Sequence, residues 1–319
     1  MRKFLSVMLP VFIMLAMAGI CIGIYMIFTN SVPNFKSGFQ VDNGVTSQIN
    51  DYNSIVLTFE ELPRLDASGV TGPLMTALIR NFTQDDSIDI DYSSTEEGFD
   101  KLLNDEIDVL ISTYPSEDVL TMASLKGIEL DIIPIAKDGF VFFVNIDNPI
   151  DSLKVFDIQK IYNGQVTNWS QIGGENLAIK AFQRPYNSPS QVEMAYSVMK
   201  SLQMIEAPKD VFYDKDFGTI NDIIATYDNS KEAIGYSYYY ETKVLYDLDA
   251  KTNDTIKILR INDVEPTYET IKNGDYPIQT NYYLIKNKAN TSESLGLFVD
   301  AIFSDRGKNV IKEAGYIDN

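Results

Sequence analysis

Residues 177–202, LAIKAFQRPYNSPSQVEMAYSVMKSL, decide how the rest of the chain is read. An apolar run ends at Arg184, the chain breaks at Pro185, and a helix follows. Ser188 stands at its N-cap, Pro189 at the first helical position and Gln191 three residues past the cap. Val192, Ala195, Tyr196, Met199 and Leu202 recur at helical spacing and predict one buried stripe. An arginine therefore leaves a strand beside a helix start that carries two hydroxyls, Ser188 and Ser190. A guanidinium offers a planar, permanent positive fork, and a helix start adds unpaired N–H groups and partial positive charge. That combination cradles an anion. The competing role for Arg184 is a structural ion pair with one of the many acids.

Working outward, the 319 residues suit one or two domains, and 45% hydrophobic content reads as globular. Net charge is -19. Without Arg2 and Lys3 at the amino end, 24 bases face 45 acids, or -21. So acidic a surface argues against nucleic acid as partner. It also requires any anion to be caught by local geometry against the field of the whole chain. The absence of histidine removes histidine-based nucleophilic systems, histidine bases and most zinc sites. The single cysteine, Cys21, lies in the apolar amino end, so the remainder has no disulfide.

Residues 4–28 carry no charge over 25 positions and follow Arg2 and Lys3, which orients the amino end to the cytoplasm. The run is longer than a signal-peptide core of about 7–15 residues, so an uncleaved anchor is expected. Cleavage after Ala16-Met17-Ala18, or a lipid on Cys21, is the alternative. Residues 29–52 are polar, without period, and read as a flexible stalk.

Beyond the stalk, a short strand ends near Leu65 and a helix starts near Pro73, with Leu74, Leu78, Ile79 and Phe82 on its core side. A second strand ends at Tyr92, and Ser94 to Glu97 form a capping box. The helix this opens runs to about Asn104, ahead of a strand from Asp108 to Ser112. Strand, helix and strand at this spacing predict a parallel sheet. Glu129–Ala136 and Gly139–Asn145 are strand-like, the second apolar enough to be buried on both faces. A helix around Val155–Tyr162, a turn at Asn163-Gly164 and a helix over Thr219–Tyr227 follow by pattern. Ala233–Tyr240, Ile256–Ile261 and Tyr282–Ile285 read as strands, and Ser292–Phe303 and Asp305–Ala314 as terminal helices. Trp169, the one tryptophan, reads as packing, with a ligand-facing ring as the alternative.

Residues 184–191, RPYNSPSQ, resemble the R-P-x-N-S-G-S/T-Q segment of the phosphate-binding proteins of ABC transporters, members of the type II periplasmic-binding-protein superfamily. Similar text surrounds it in consistent order over about residues 51–319: GFVFFVNIDNPIDSL (139–153), IQKIYNGQVTNWSQIGG (158–174), EAIGYSYYYE (232–241) and AIFSDRGKNVIKEAGYID (301–318). The resemblance implies a two-lobe α/β fold with mixed, mostly parallel sheets and a ligand cleft between the lobes. It divides the chain into an anchor or signal (1–30), a stalk (31–52), the first part of lobe one (53–138), lobe two (139–236) and a return to lobe one (237–319). A hinge falls near Lys137–Phe140.

By the same resemblance, Ser68, Gly69, Thr71, Ser94, Thr95 and Thr113 hold the ligand from lobe one, and Arg184, Ser188, Ser190 and Gln191 from lobe two. Helix capping is the plainer role for Ser68, Thr71 and Ser94. Two departures bear on the ligand. Proline replaces the family's glycine at position 189 and has no N–H to offer. In the loop at 113–116 the family's aspartate, which accepts the proton of a protonated phosphate, has no counterpart.

The implied function is an extracytoplasmic solute-binding protein, monomeric and without cofactor, that captures a small oxyanion, phosphate first, for an ABC permease. The alternative is a membrane-tethered sensor or interaction domain of the same fold with altered or lost anion binding. No enzyme is expected. Ser197-Val198-Met199-Lys200 matches S-x-x-K but falls inside a helix without its companion motifs, and no phosphate-binding Gly-rich loop occurs.

Overall fold

The computed structural model describes residues 56–206, 230–245 and 255–319, apart from positions 89 and 91. The expected anchor, the stalk and the helix over Thr219–Tyr227 lie outside the described residues. Among the described residues, no helix is long and apolar enough to cross a membrane.

The order begins β1 (Leu65–Ala67), α1 (Gly72–Thr83), α2 (Thr95–Leu103), β2 (Val109–Ser112), α3 (Glu117–Leu125) and β3 (Leu130–Asn145). It continues with β4 (Ser152–Leu153), α4 (Val155–Tyr162), β5 (Lys180–Ala181) and α5 (Pro189–Glu193), which runs on as π-helical turns over Met194–Met199. The remainder is β6 (Ala233–Tyr238), β7 (Ile256–Ile258), β8 (Arg260–Ile261), α6 (Tyr268–Lys272), β9 (Gln279–Asn287), α7 (Glu293–Phe303), α8 (Asp305–Glu313) and β10 (Ile317–Asp318). No strand is assigned to the described residues of the stretch expected to end at Tyr92, so β1 and β2 are joined across two helices.

β3 organises the sheet. Its first part, Leu130 to Gly139, pairs with β9, while Ala136 and Lys137 also meet β10. From Phe140 to Val144 it pairs with β6, and Phe143 to Asn145 meet β7. Every one of these pairings is antiparallel, as is β2–β9. Among the described residues, only β1–β2, β5–β6 and the small β4–β8 pair are parallel. The expectation of mostly parallel sheets is therefore corrected: the sheet is mixed, because one long strand and its long neighbour β9 run in opposite senses through its middle. β3 is also one strand where two were read. Its register slips by a bulge between Pro134 and Ala136, where proline has no N–H to give the ladder. β7 pairs with the second part of β3, and β8 pairs with β4.

Packing follows the apolar periodicity. Leu74, Leu78, Ile79 and Phe82 of α1 are buried, as are Phe140, Val141, Phe142, Phe143 and Val144 of β3. Trp169 is buried too, and its indole N–H donates to the Glu232 carbonyl at 3.1 Å, so it packs. The helix after Ser188 departs from its expected stripe: Ala195, Tyr196 and Leu202 are exposed, while Met194, Val198 and Met199 are buried. Its π-helical turns bond i to i+5, so the inward face recurs later than a 3.6-residue period predicts.

Candidate functional site

The first loop is locked to the strand beside it. After β1, the Ser68 amide donates to the Ile111 carbonyl at 3.1 Å and the Thr71 hydroxyl to the same oxygen at 2.5 Å. With its one proton committed there, Thr71 Oγ1 accepts from Ser68 Oγ at 3.0 Å. Both hydroxyls hold the loop, while Gly69 between them is exposed and has open space where a side chain would start. Within β1, buried Asp66 accepts from the Ser93 amide at 3.0 Å, the Ser93 hydroxyl at 2.6 Å and Lys101 Nζ at 3.2 Å. Burial pushes this carboxyl up, but the hydrogen bonds from Ser93, Ala67 and Lys101 outweigh it and hold the group below its ordinary value. Asp66 thereby fixes the segment entering α2, where Ser94 accepts from the Glu97 amide at 3.2 Å and acts as a cap.

At the end of β2, Ser112 and Thr113 are buried and neither hydroxyl has a hydrogen-bond partner. An unmet buried hydroxyl costs roughly 1–3 kcal/mol, and of the two only Thr113 lines the pocket described below. Tyr238, at the end of β6, brings its buried hydroxyl beside that of Thr113.

On the other side, the Arg184 amide donates to Gln191 Oε1 at 2.8 Å and to the Tyr236 hydroxyl at 3.2 Å. The Tyr236 hydroxyl also reaches Gln191 Oε1. Gln191 is thus a strut that holds Arg184 against its helix, and its carboxamide oxygen is engaged by protein. Ser188, at the N-cap, makes no cap bond, and its buried hydroxyl has no partner. Ser190, the second residue of α5, is buried.

A pocket of about 250 Å³ opens between these parts, lined by Thr95 and Thr113 on one side and by Asn187, Pro189 and Val192 on the other. Of the ten residues expected to hold a ligand, Thr95 and Thr113 line this pocket, and Ser188 lies between two that do. Ser68, Gly69, Thr71, Ser94, Arg184, Ser190 and Gln191 are not in its wall. The starts of α2, α3 and α5 meet here, through Thr95, Ser116 and Pro189.

Sequence reasoning missed Ser112, Tyr238 and Glu193. Glu193 is 4% exposed, and its carboxylate accepts from Ser197 and, at 2.7 Å, from Thr280 of β9. Burial raises this carboxyl above its ordinary value. An acid directly after Val192 on an otherwise apolar face was the available signal. A second tie is aromatic: Tyr114 stacks on Tyr196 at 5.4 Å and meets Tyr283 edge-on at 5.6 Å.

Residues 64–306 match the family described as the PBP superfamily domain. The chain is 22% identical over 265 residues to the phosphate-binding protein PstS of Borreliella burgdorferi, covering 81% of this chain and 90% of that one. Bacillus subtilis PstS is 27% identical over 187 residues, 57% of this chain and 56% of that protein. Among solved structures, a substrate-binding protein described as that of a phosphate ABC transporter, from Clostridium perfringens with bound phosphate, superposes with a TM-score of 0.57 at 20% identity. That match covers 80% of this chain and 98% of the other. The chain belongs to the PBP superfamily.

Proposed function

We propose that this protein is an extracytoplasmic solute-binding protein that captures a small oxyanion, phosphate first, between the two parts of its sheet, for an ABC permease. The observation that carries this reading is a pair of buried, unmet hydroxyls at the junction where three helix starts meet: Thr113 in the pocket wall, and Ser188 between the wall residues Asn187 and Pro189. Hydroxyls without acceptors call for an acceptor-rich guest, and an oxyanion is one. The relatives named for phosphate binding support the same choice. Charge-assisted hydrogen bonds contribute about 1.5–3 kcal/mol each, so a handful sustains micromolar binding after desolvation. Ligand touching both sides favours the closed arrangement, which is what a permease would recognise. The tethered-sensor alternative gains no support from the relatives.

Two substitutions test the site by calorimetry with inorganic phosphate. Because neither hydroxyl has a partner in the ligand-free protein, Thr113→Val and Ser188→Ala should leave the melting temperature unchanged or slightly higher. Each should weaken phosphate binding about tenfold, the loss of one charge-assisted bond. Unchanged affinity in both variants would remove this site from the oxyanion reading.

A further inference from the structure

We infer that, among oxyanions, the pocket prefers a phosphorus oxyanion joined by a short chain to an ammonium group, an aminophosphonate or the phosphate ester of a small amino alcohol. This rests on the oxyanion reading above and deepens it. The first ground is size. A cavity of about 150 Å³ already accommodates benzene, whereas this pocket measures about 250 Å³. A five-atom tetrahedral anion leaves much of that space unfilled.

The second ground is the distribution of charge and burial along the wall. Thr113, 1% exposed and unpartnered, lies at the buried end. Glu96, Asp100 and Asp118, all exposed, stand at the rim, and no basic side chain is among the described residues lining the pocket. A chain carrying -19 that rings its pocket with acids repels an approaching dianion. The same ring attracts a ligand that brings its own cation.

Helix capping explains only part of the ring. Glu96 and Asp118 fall in the first turns of α2 and α3, where acids complement the helix dipole. Asp100 does not: it lies four residues after Glu96 on the same face, a like-charge pairing that destabilises a helix. A bound ammonium relieves that repulsion, and the unmet hydroxyl of Thr113 at the other end accounts for the oxyanion. Because the carboxylates are exposed, salt screens their pull.

Calorimetry on the full chain at low salt, with inorganic phosphate, ethylphosphonate, 2-aminoethylphosphonate and phosphoethanolamine, tests this. The amino ligands should bind at least tenfold tighter than ethylphosphonate. That ratio should fall toward one in Glu96→Gln/Asp100→Asn and should shrink as salt is raised. Whichever amino ligand binds tighter assigns the carbon–phosphorus or the ester linkage. If ethylphosphonate or phosphate binds as tightly as the amino ligands, the ammonium inference is overturned and the oxyanion reading stands. If none of the four binds, both are overturned.

Discussion

Asp138→Leu is expected to lower the melting temperature by ten degrees or more, or to leave the chain insoluble. Asp138 is buried on β3 and has three donors around it. The Gly139 amide lies at 2.7 Å, the Tyr240 amide at 3.1 Å and the Tyr282 hydroxyl at 2.5 Å. Leucine leaves all three unmet at roughly 1–3 kcal/mol each, against a total stability of about 5–15 kcal/mol for a typical domain. Each kcal/mol is worth about 2–4 °C at this size.

The same carboxylate carries a pH signature. Burial pushes it up to about 7, Glu241 adds to the rise, and the three donors only partly oppose it. The native state therefore holds this proton more tightly than the unfolded chain, whose value is near 3.8. The resulting stability is fully present below about pH 4 and is lost as pH rises through about 7, at most roughly 4 kcal/mol for three pH units. Glu193, also raised, acts in the same direction. Urea midpoints measured across this range should fall with rising pH, and Asp138→Asn, which keeps an acceptor for the two amides, should flatten much of that slope. An equal slope in Asp138→Asn would refute the assignment.

Gly307→Ala is expected to cost more than about 3 kcal/mol, although alanine is the better helix former. A Cβ at 307 would stand 2.2 Å from the Ile302 carbonyl oxygen and 2.3 Å from that of Ala301. Both are backbone atoms at the end of α7, so no side-chain rotation relieves the contact. Ser304 ties this joint, donating to the Ala301 carbonyl at 2.6 Å and accepting from the Gly307 amide at 3.1 Å. Moving α8 to make room would break it. Gly296→Ala is the paired control: Gly296 sits exposed inside α7 with open space where a Cβ would stand, so alanine there should stabilise by about 0.5–1 kcal/mol. Denaturant midpoints that move the same way for both would contradict this account.

What the sequence made legible was local chemistry. Val155–Tyr162 falls where its apolar spacing placed it, and Ser94 caps the helix its capping box predicts. The motif at 184–191 marked Ser188, whose hydroxyl is unmet, but it also marked Gln191, which proves to be a strut. Nothing local separates the two, because the difference is made by Tyr236, 45 residues away. Strand direction was misjudged for a similar reason: β3 and β9 find each other across more than a hundred residues, and periodicity carries no record of a partner. The helix after Ser188 was misphased because its π turns arise from packing rather than from its residue pattern.

The change of neighbours along β3 has a mechanical consequence. Its ladder with β9 ends at Gly139 and its ladder with β6 begins at Phe140, and the Phe140 amide donates to the Ile278 carbonyl at 2.9 Å across that step. The sheet still has a crease at this change of partners, across which its two portions can tilt without unzipping either ladder. Asp138, gripping the Tyr240 amide from one residue before the crease, sets the stiffness of that fold line.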